Sequence, residues 1–123
     1  MEIYYILLSM IFFHVIADYF LQGILASMKQ KSWWRENAPK RLYKYDYIAA
    51  LIMHSFSWTF IVMLPLAIRM NFNVDVLFML IFLVNVIVHA VTDDVKANRF
   101  KINLIEDQVI HILQIMYMWA FLV

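Results

Sequence analysis

Four long apolar stretches divide this chain, and short polar segments separate them. They cover approximately residues 3–25, 47–68, 75–95 and 104–123. Each stretch is about 20 residues long, which is the length that an α-helix needs to cross ~30 Å of hydrocarbon. The pattern predicts an all-α chain in which residues 1–123 form a single integral membrane domain, a four-helix transmembrane bundle.

The composition supports a membrane protein. The chain is 65% hydrophobic, with a mean hydropathy of +0.73, whereas soluble domains are about 45–50% apolar. The first stretch begins with Glu2 and contains His14 and Asp18, so we expect a retained span rather than a cleaved signal peptide. The chain has no cysteine, which excludes disulfides and thiolate metal ligands.

The basic residues predict the direction of the bundle. Nine of the ten Lys and Arg residues lie in the first and third loops, and only Arg69 lies in the second. These nine are Lys29, Lys31, Arg35, Lys40, Arg41, Lys44, Lys96, Arg99 and Lys101. By the positive-inside rule the first and third loops face the cytoplasm, which places both termini outside.

The first loop, residues 26–46, is the only sizeable segment outside the apolar stretches. Its mixture of basic and aromatic residues suits the anionic inner leaflet, so we expect membrane lipids as partners. Nothing in it resembles a nucleic-acid recognition motif, and no nucleic-acid partner is expected. The apolar C-terminal span and the small size of the chain also leave a homodimer open.

All four histidines lie inside the apolar stretches, one in each, and three of them have an aspartate four residues away. The pairs are His14 with Asp18, His89 with Asp93, and His111 with Asp107, while His54 stands alone. Residues four apart share a helix face, and a charged residue at the centre of a membrane helix costs roughly 2.5–3.5 kcal/mol. These faces should therefore turn toward the interior of the bundle.

The helix directions place these side chains at one depth. Counting 1.5 Å per residue from the cytoplasmic ends puts His54, His89, His111 and Asp18 roughly 9–11 Å into the membrane. In all three pairs the carboxylate lies on the cytoplasmic side of its imidazole, although the fourth span runs opposite to the first and third. The sequence therefore predicts one polar site inside the cytoplasmic half of the bundle.

Neutral imidazoles and carboxylates are ligands for a divalent metal, with Zn²⁺ first and Mn²⁺ or iron as alternatives. The predicted ligands are His14, Asp18, His54, His89, Asp93 and His111. Asp107 is the predicted general base or the orienting partner of His111. Two other interpretations remain open, namely a hydrogen-bond network that fixes helix register and a proton or ion path lined by the same residues.

Several polar residues flank the predicted ligands toward the cytoplasm. Lys96 and Lys29 are candidates to hold an anionic substrate group, and Lys96 could instead pair with Asp93 three residues earlier. Gln22, which continues the His14 and Asp18 stripe, and Gln108 are weaker candidates for contacts with substrate.

The order of these motifs resembles a known family. His14-Val-Ile-Ala-Asp18-Tyr-Phe-Leu-Gln22, then Lys29 and His54, then His89-Ala-Val-Thr-Asp93-Asp-Val-Lys96, then Asp107-Gln108-Val-Ile-His111 is similar to the domain-of-unknown-function family numbered 3307. The resemblance covers almost the whole chain. It implies a small multi-pass protein of the bacterial inner membrane, of bacterial or phage origin. The family carries no established reaction.

These observations lead to one functional hypothesis and two alternatives. The hypothesis is a metal-dependent hydrolase, embedded in the membrane and open to the cytoplasm, that acts on a lipid-linked or membrane-proximal phosphoester or ester. The first alternative is a protein that transports or senses a divalent cation or protons, although the outer segments 60–66 and 77–84 are almost wholly apolar. The second is a phage or host interaction protein with a structural metal site.

Overall fold

The computed structural model describes residues 1–21 and 23–123, and the described residues are largely helical. Helix α1 (Glu2–Ile16) continues directly into a π-helical turn (Ala17–Leu21). Two short helices and a 3₁₀ turn follow, and then three long helices. These elements are α2 (Leu25–Met28), α3 (Lys31–Asn37), the 3₁₀ turn (Arg41–Tyr43), α4 (Asp46–Arg69), α5 (Val76–Ala97) and α6 (Leu104–Leu122).

The four long helices pack around a common interior. Helix α1 contacts α4 and α6, and α5 contacts the same two helices. At one end the indole N–H of Trp119 donates to the main-chain oxygen of Ile3 (2.7 Å), and Arg69 lies 3.3 Å from Glu2. The end of α4, the end of α6 and the start of α1 therefore meet, so the two chain termini lie at the same end.

The exposed and buried residues are distributed in the opposite sense to those of a soluble bundle. On α6 the large apolar residues Ile105, Leu113 and Phe121 are exposed, Ile105 by 74%, while the polar Asp107 and His111 are buried. A polar solvent would favour the reverse arrangement. The outward apolar faces fit hydrocarbon, where polar groups must find partners inside the protein.

Three helical segments are long and apolar enough to cross a membrane. They are Glu2–Leu21, Arg41–Arg69 and Val76–Ala97. The fourth predicted span coincides with α6. Within the described part of the chain, α6 is not among the helices that are apolar enough to cross a membrane by composition. The reason is local, because Glu106, Asp107 and Gln108 occupy its first turn and lower its average apolar character.

The first span ends earlier than the sequence predicts. The continuous helix stops at Leu21 instead of residue 25, and Gly23 has a φ of +52°. Only glycine adopts this left-handed conformation without strain, so the chain turns there. The segment 26–46 also differs from the predicted loop, because it contains most of α2, all of α3 and the 3₁₀ turn.

The interior of the bundle has two layers. Toward the termini it is filled by buried apolar side chains, among them Met10, Val62, Leu66, Ile115 and Met118. Toward the other end it contains the buried histidines and aspartates. The polar layer therefore lies in the half of the bundle that faces the basic segments.

The topology predicts which positions share a side of the membrane. The chain has no cysteine, so a single cysteine can be placed at each of three exposed positions, Ser32, Asn73 and Lys101. An impermeant maleimide applied to sealed vesicles should label Ser32→Cys and Lys101→Cys from the same side and Asn73→Cys from the other. Labelling of all three from one side would contradict the bundle.

Candidate metal centre

The structure brings the predicted histidines and aspartates together from all four long helices. The three pairs spaced four apart are in contact: His14 Nδ1 lies 3.7 Å from Asp18, His89 Nε2 3.4 Å from Asp93, and His111 Nε2 3.2 Å from Asp107. Asp18 is the second residue of the π-helical turn, a distortion that is frequent at functional sites. The spacing that shares a helix face in the sequence therefore also joins each pair in space.

Asp93 lies at the centre of these contacts. Its Oδ2 is 3.4 Å from Nε2 of His54 and 3.4 Å from Nε2 of His89, and it accepts a hydrogen bond from Lys29 Nζ at 2.9 Å. Its Oδ1 lies 3.3 Å from Nε2 of His111. One carboxylate that is 5% exposed thus contacts α4, α6, its own helix and the segment after α2.

Two groups of donor atoms are close enough to hold an ion. The first comprises Asp18, His54 and His89, and the second comprises His89, Asp93 and His111. In the first group Asp18 Oδ1 lies 3.2 Å from His54 Nε2 and 3.9 Å from His89 Nε2. Because His89 belongs to both groups, they form one extended centre.

His89 is the least satisfied residue of the centre. Its side chain is fully buried, and neither ring nitrogen makes a well-formed hydrogen bond among the described residues. Its Nε2 faces the carboxylates of Asp93 at 3.4 Å and of Asp18 at 3.9 Å. The ring is stacked between Trp58 and His111, with centroid distances of 4.2 and 4.1 Å. A buried polar group without a partner costs about 1–3 kcal/mol, so the stacking holds His89 in a position that its own hydrogen bonding does not explain.

A series of hydrogen bonds that begins at Asn85 places a proton on Nδ1 of His111. The amide nitrogen of Asn85 donates to the main-chain oxygen of Ile81, so Asn85 Oδ1 must face Gln114. Gln114 Nε2 donates to this oxygen at 3.0 Å and to the main-chain oxygen of Asn85 at 3.3 Å. Gln114 Oε1 is then left to accept from Nδ1–H of His111 at 2.9 Å. Nδ1 of His111 therefore carries a proton. Its Nε2 lies 3.3 Å from Asp93 Oδ1 and 3.2 Å from Asp107 Oδ1, so a second proton or a bound cation would be held between the ring and these carboxylates.

A second series of hydrogen bonds, which begins at Trp58, places the proton of a neutral His14 on Nε2. An indole N–H can only donate, and Trp58 Nε1 donates to Nδ1 of His14 at 2.8 Å. Nε2 of a neutral His14 therefore carries the proton and donates to Gln108 Oε1 at 2.8 Å. Gln108 Nε2 in turn donates to Asp107 Oδ2 at 3.0 Å. Both ring nitrogens of His14 are engaged, and His14 lies outside both donor groups found among the described residues.

The two lysines predicted to bind substrate lie at the edge of the centre. Lys29 pairs with Asp93, while Lys96 Nζ lies 3.4 Å from Asp107 Oδ2. Asn98 holds the backbone at Lys29, because its amide nitrogen donates to the oxygen of Lys29 at 2.9 Å and its Oδ1 accepts from the N–H of Lys31 at 2.7 Å.

A cavity of about 340 Å³ connects this edge to the surface. Its walls include Lys29, Lys96 and Asp93, together with the exposed residues Gln30 and Phe100. The buried carboxylate of Asp93 is therefore reached from the surface past two ammonium groups.

Sequence reasoning identified most of this centre but not its supports. Gln22 lies outside the described residues. Asn85 lies four residues before His89 and Gln114 three residues after His111, and this helical spacing was the available signal for both supports. The bond from Trp58 to His14 crosses between helices, so no local spacing could reveal it.

Comparison with known proteins gives no relative: no family model matches the chain, and neither a curated protein nor a solved structure is significantly similar to it.

The hydrogen bonds that Trp58 and Gln108 make with His14 lead to a testable prediction. Trp58→Phe removes the N–H that donates to His14 Nδ1 while it keeps an aromatic ring. We expect wild-type His14 to be the Nε2–H tautomer, and Trp58→Phe to destabilise the fold by about 1–3 kcal/mol and to shift the tautomer. ¹⁵N NMR of histidine-labelled protein in detergent measures the tautomer, and thermal unfolding measures the stability.

Trp33→Phe is the matched control, because Trp33 lies in α3 away from the centre. The described hydrogen bonding of His14 is wrong if His14 is the Nδ1–H tautomer in the wild type. It is also wrong if Trp33→Phe changes the His14 signals as much as Trp58→Phe does.

Proposed function

We propose that this chain is a membrane-embedded protein that holds one divalent metal ion at its histidine–aspartate centre and uses it for hydrolysis. The single observation that carries the metal site is His89. This ring is fully buried, makes no well-formed hydrogen bond among the described residues, and turns Nε2 toward the carboxylates of Asp93 and Asp18 as a member of both donor groups. A cation coordinated by His89 would satisfy a nitrogen that the protein alone does not.

The spacing of the donors fits a metal. Ligand atoms 2.0–2.1 Å from a tetrahedral Zn²⁺ lie about 3.3–3.4 Å from one another. The separations are 3.2 Å from Asp18 Oδ1 to His54 Nε2, and 3.4 Å from Asp93 Oδ2 to Nε2 of both His54 and His89, while Asp18 Oδ1 to His89 Nε2 is longer at 3.9 Å. We therefore propose that Asp18, His54 and His89 of the first donor group bind Zn²⁺ and that Asp93 of the second group is the fourth ligand, with Mn²⁺ or Fe²⁺ as the alternatives.

The charges at the centre also favour a cation. Three carboxylates, Asp18, Asp93 and Asp107, face two ammonium groups, those of Lys29 and Lys96. With neutral imidazoles the site keeps an excess negative charge, which is costly inside a membrane. A proton on a histidine would balance this charge as well, so metal content is the decisive measurement.

In this proposal α6 is a fourth transmembrane helix. Its polar residues Asp107, His111 and Gln114 are buried inside the bundle, while its exposed residues are mostly apolar. The excess of basic residues in the first and third loops favours termini on the outside and a centre open to the cytoplasm. The resemblance to the domain-of-unknown-function family 3307 supports a bacterial inner membrane.

A bound divalent cation lowers the pKa of water toward neutrality and polarises a carbonyl or phosphoryl oxygen. Asp107 acts as general base: Gln108 and Lys96 bind its Oδ2, whereas its Oδ1 is buried without a hydrogen bond among the described residues. The same Oδ1 lies 3.2 Å from Nε2 of His111. His14, whose ring nitrogens are bonded to Trp58 and Gln108, would position Gln108 instead of binding the ion.

Lys29 and Lys96 bind the anionic group of the substrate. Both line the cavity that leads to Asp93, and an ammonium is a suitable partner for phosphate. Because this cavity lies near the membrane surface, a lipid-linked phosphoester or ester is the proposed substrate class.

Transport of a cation or protons is less well supported. A path through the bundle would have to continue past Met10, Val62, Leu66, Ile115 and Met118, which are all fully buried and apolar. This layer closes the interior on the side of the termini. A structural metal site in an interaction protein would not need the cavity beside Lys29 and Lys96, which favours hydrolysis over that alternative.

The metal site is tested with a matched pair of substitutions, His89→Gln and His14→Gln. Elemental analysis of detergent-purified wild type, reconstituted with Zn²⁺, Mn²⁺ or Fe²⁺, should give about one ion per chain. Loss of a residue that orients a ligand lowers metal affinity by at least about tenfold, and loss of the ligand itself should cost no less. We therefore expect His89→Gln to lower the metal affinity by more than about tenfold. His14→Gln should retain the ion.

Gel filtration and circular dichroism establish that each variant is folded. Folded wild type that takes up none of these metals would refute the site. A folded His14→Gln that loses the ion would move His14 into the ligand set, as the sequence alone suggested.

Hydrolysis is tested separately with Asp107→Asn. This change keeps the size of the side chain and removes the base, so kcat should fall by about 10²–10⁴ while the bound metal is retained. Lys96→Gln should raise KM for anionic substrates. The assay measures phosphate or fatty acid released from lipid vesicles by metal-loaded protein. A metal-loaded wild type without turnover of phosphoester or ester lipids would refute the hydrolase and leave the metal site intact.

A further inference from the structure

A second cavity lies outside the histidine–aspartate centre, between α3, the 3₁₀ turn and the start of α4. Its volume is about 400 Å³. Five basic residues line it: Lys31, Arg35, Lys40, Arg41 and Lys44. Aromatic residues form much of the rest of its wall, and the rings of Trp34 and Tyr43 are stacked at 6.4 Å.

These five cations have no carboxylate within ion-pair distance in the described part of the chain. By contrast, Lys29, Arg69, Lys96 and Arg99 each pair with an aspartate or glutamate. The two sets differ in position as well, because five of the six cations without an ion pair in the described part of the chain surround one concave surface, and only Lys101 lies elsewhere. A topology signal requires basic residues on one side of the membrane, but it does not require them to gather around a cavity without acidic partners.

The aromatic residues favour a site at the membrane surface. Lys31 Nζ lies 5.0 Å from the ring centroid of Tyr47, and Lys44 Nζ lies 5.4 Å from that of Tyr45. Tyrosine and tryptophan rings are typical of the headgroup region. Beside them Leu42 is 79% exposed, which places an apolar side chain next to the charged cavity, as contact with an acyl chain would require.

We propose that this cavity binds the phosphate group of an anionic phospholipid. Phosphate offers several acceptor oxygens, and a guanidinium such as that of Arg35 or Arg41 can donate to two of them at once. A lipid rather than a free phosphate is the proposed source of this group. The cavity lies beside the first residues of α4, where this proposed membrane span would enter the headgroup region. The site does not depend on the metal centre.

The experiment compares two double variants with equal loss of charge. Arg41→Gln/Lys44→Gln removes two cavity cations. Arg99→Gln/Lys101→Gln removes two exposed cations outside the cavity, in the other basic segment. Native mass spectrometry of the full chain in detergent, titrated with phosphatidylglycerol or phosphatidylcholine, gives the dissociation constant of each lipid.

We expect wild type to prefer phosphatidylglycerol, and the cavity variant to lose at least tenfold more affinity for it than the control variant. Equal losses in the two variants would mean general electrostatic attraction and would overturn the proposal. Inorganic phosphate that displaces the lipid at a similar concentration would overturn the lipid as the source. If the double variant fails to fold, Lys40→Gln against Lys101→Gln gives the same comparison with one charge removed.

Discussion

The carboxylate of Asp93 is the contact on which this structure depends. It joins the ammonium of Lys29 to the imidazoles of His54, His89 and His111. These partners come from α4, α5, α6 and the segment after α2, so one side chain fixes the relative positions of most of the bundle. Such a group is tolerated in an apolar surrounding only if its partners are in place. The polar centre is therefore a structural requirement as well as a candidate for chemistry.

The same requirement explains the distribution of residues over the whole molecule. Hydrophobic burial provides little drive for helix association when the surroundings are themselves apolar. Polar contacts between helices then contribute more to determining which helices pack together and in which register. In this bundle these contacts lie in one layer. The apolar layer toward the termini fills the remaining interior with Met10, Val62 and Leu66. The order of the two layers gives the bundle one end that is apolar throughout its depth and one end at which charge approaches the surface.

The sequence predicts the helices and the centre well because both follow from periodicity. Helices α4, α5 and α6 begin and end within two residues of the predicted spans. The spacing of four places His89 beside Asp93 and His111 beside Asp107, because that spacing is a property of the helix itself.

Features that depend on neighbouring helices could not be predicted in this way. The π-helical turn at Ala17–Leu21 has no local signal. Lys29 belongs to a basic segment that the sequence places at the surface, yet it reaches Asp93 and is buried. The donor Trp58 was identifiable only as a residue one turn after His54. The partners of His14, Trp58 and Gln108, likewise become visible only in three dimensions.

The clamp that Asn98 makes on the backbone of Lys29 and Lys31 has a mechanical consequence. Lys29 extends inward to Asp93, whereas Lys31 lines the basic cavity. Only one residue separates them, and Asn98 at the end of α5 is bonded to the main chain of both. The ion pair of the buried carboxylate and one wall of the basic cavity are thereby joined through a short stretch of main chain.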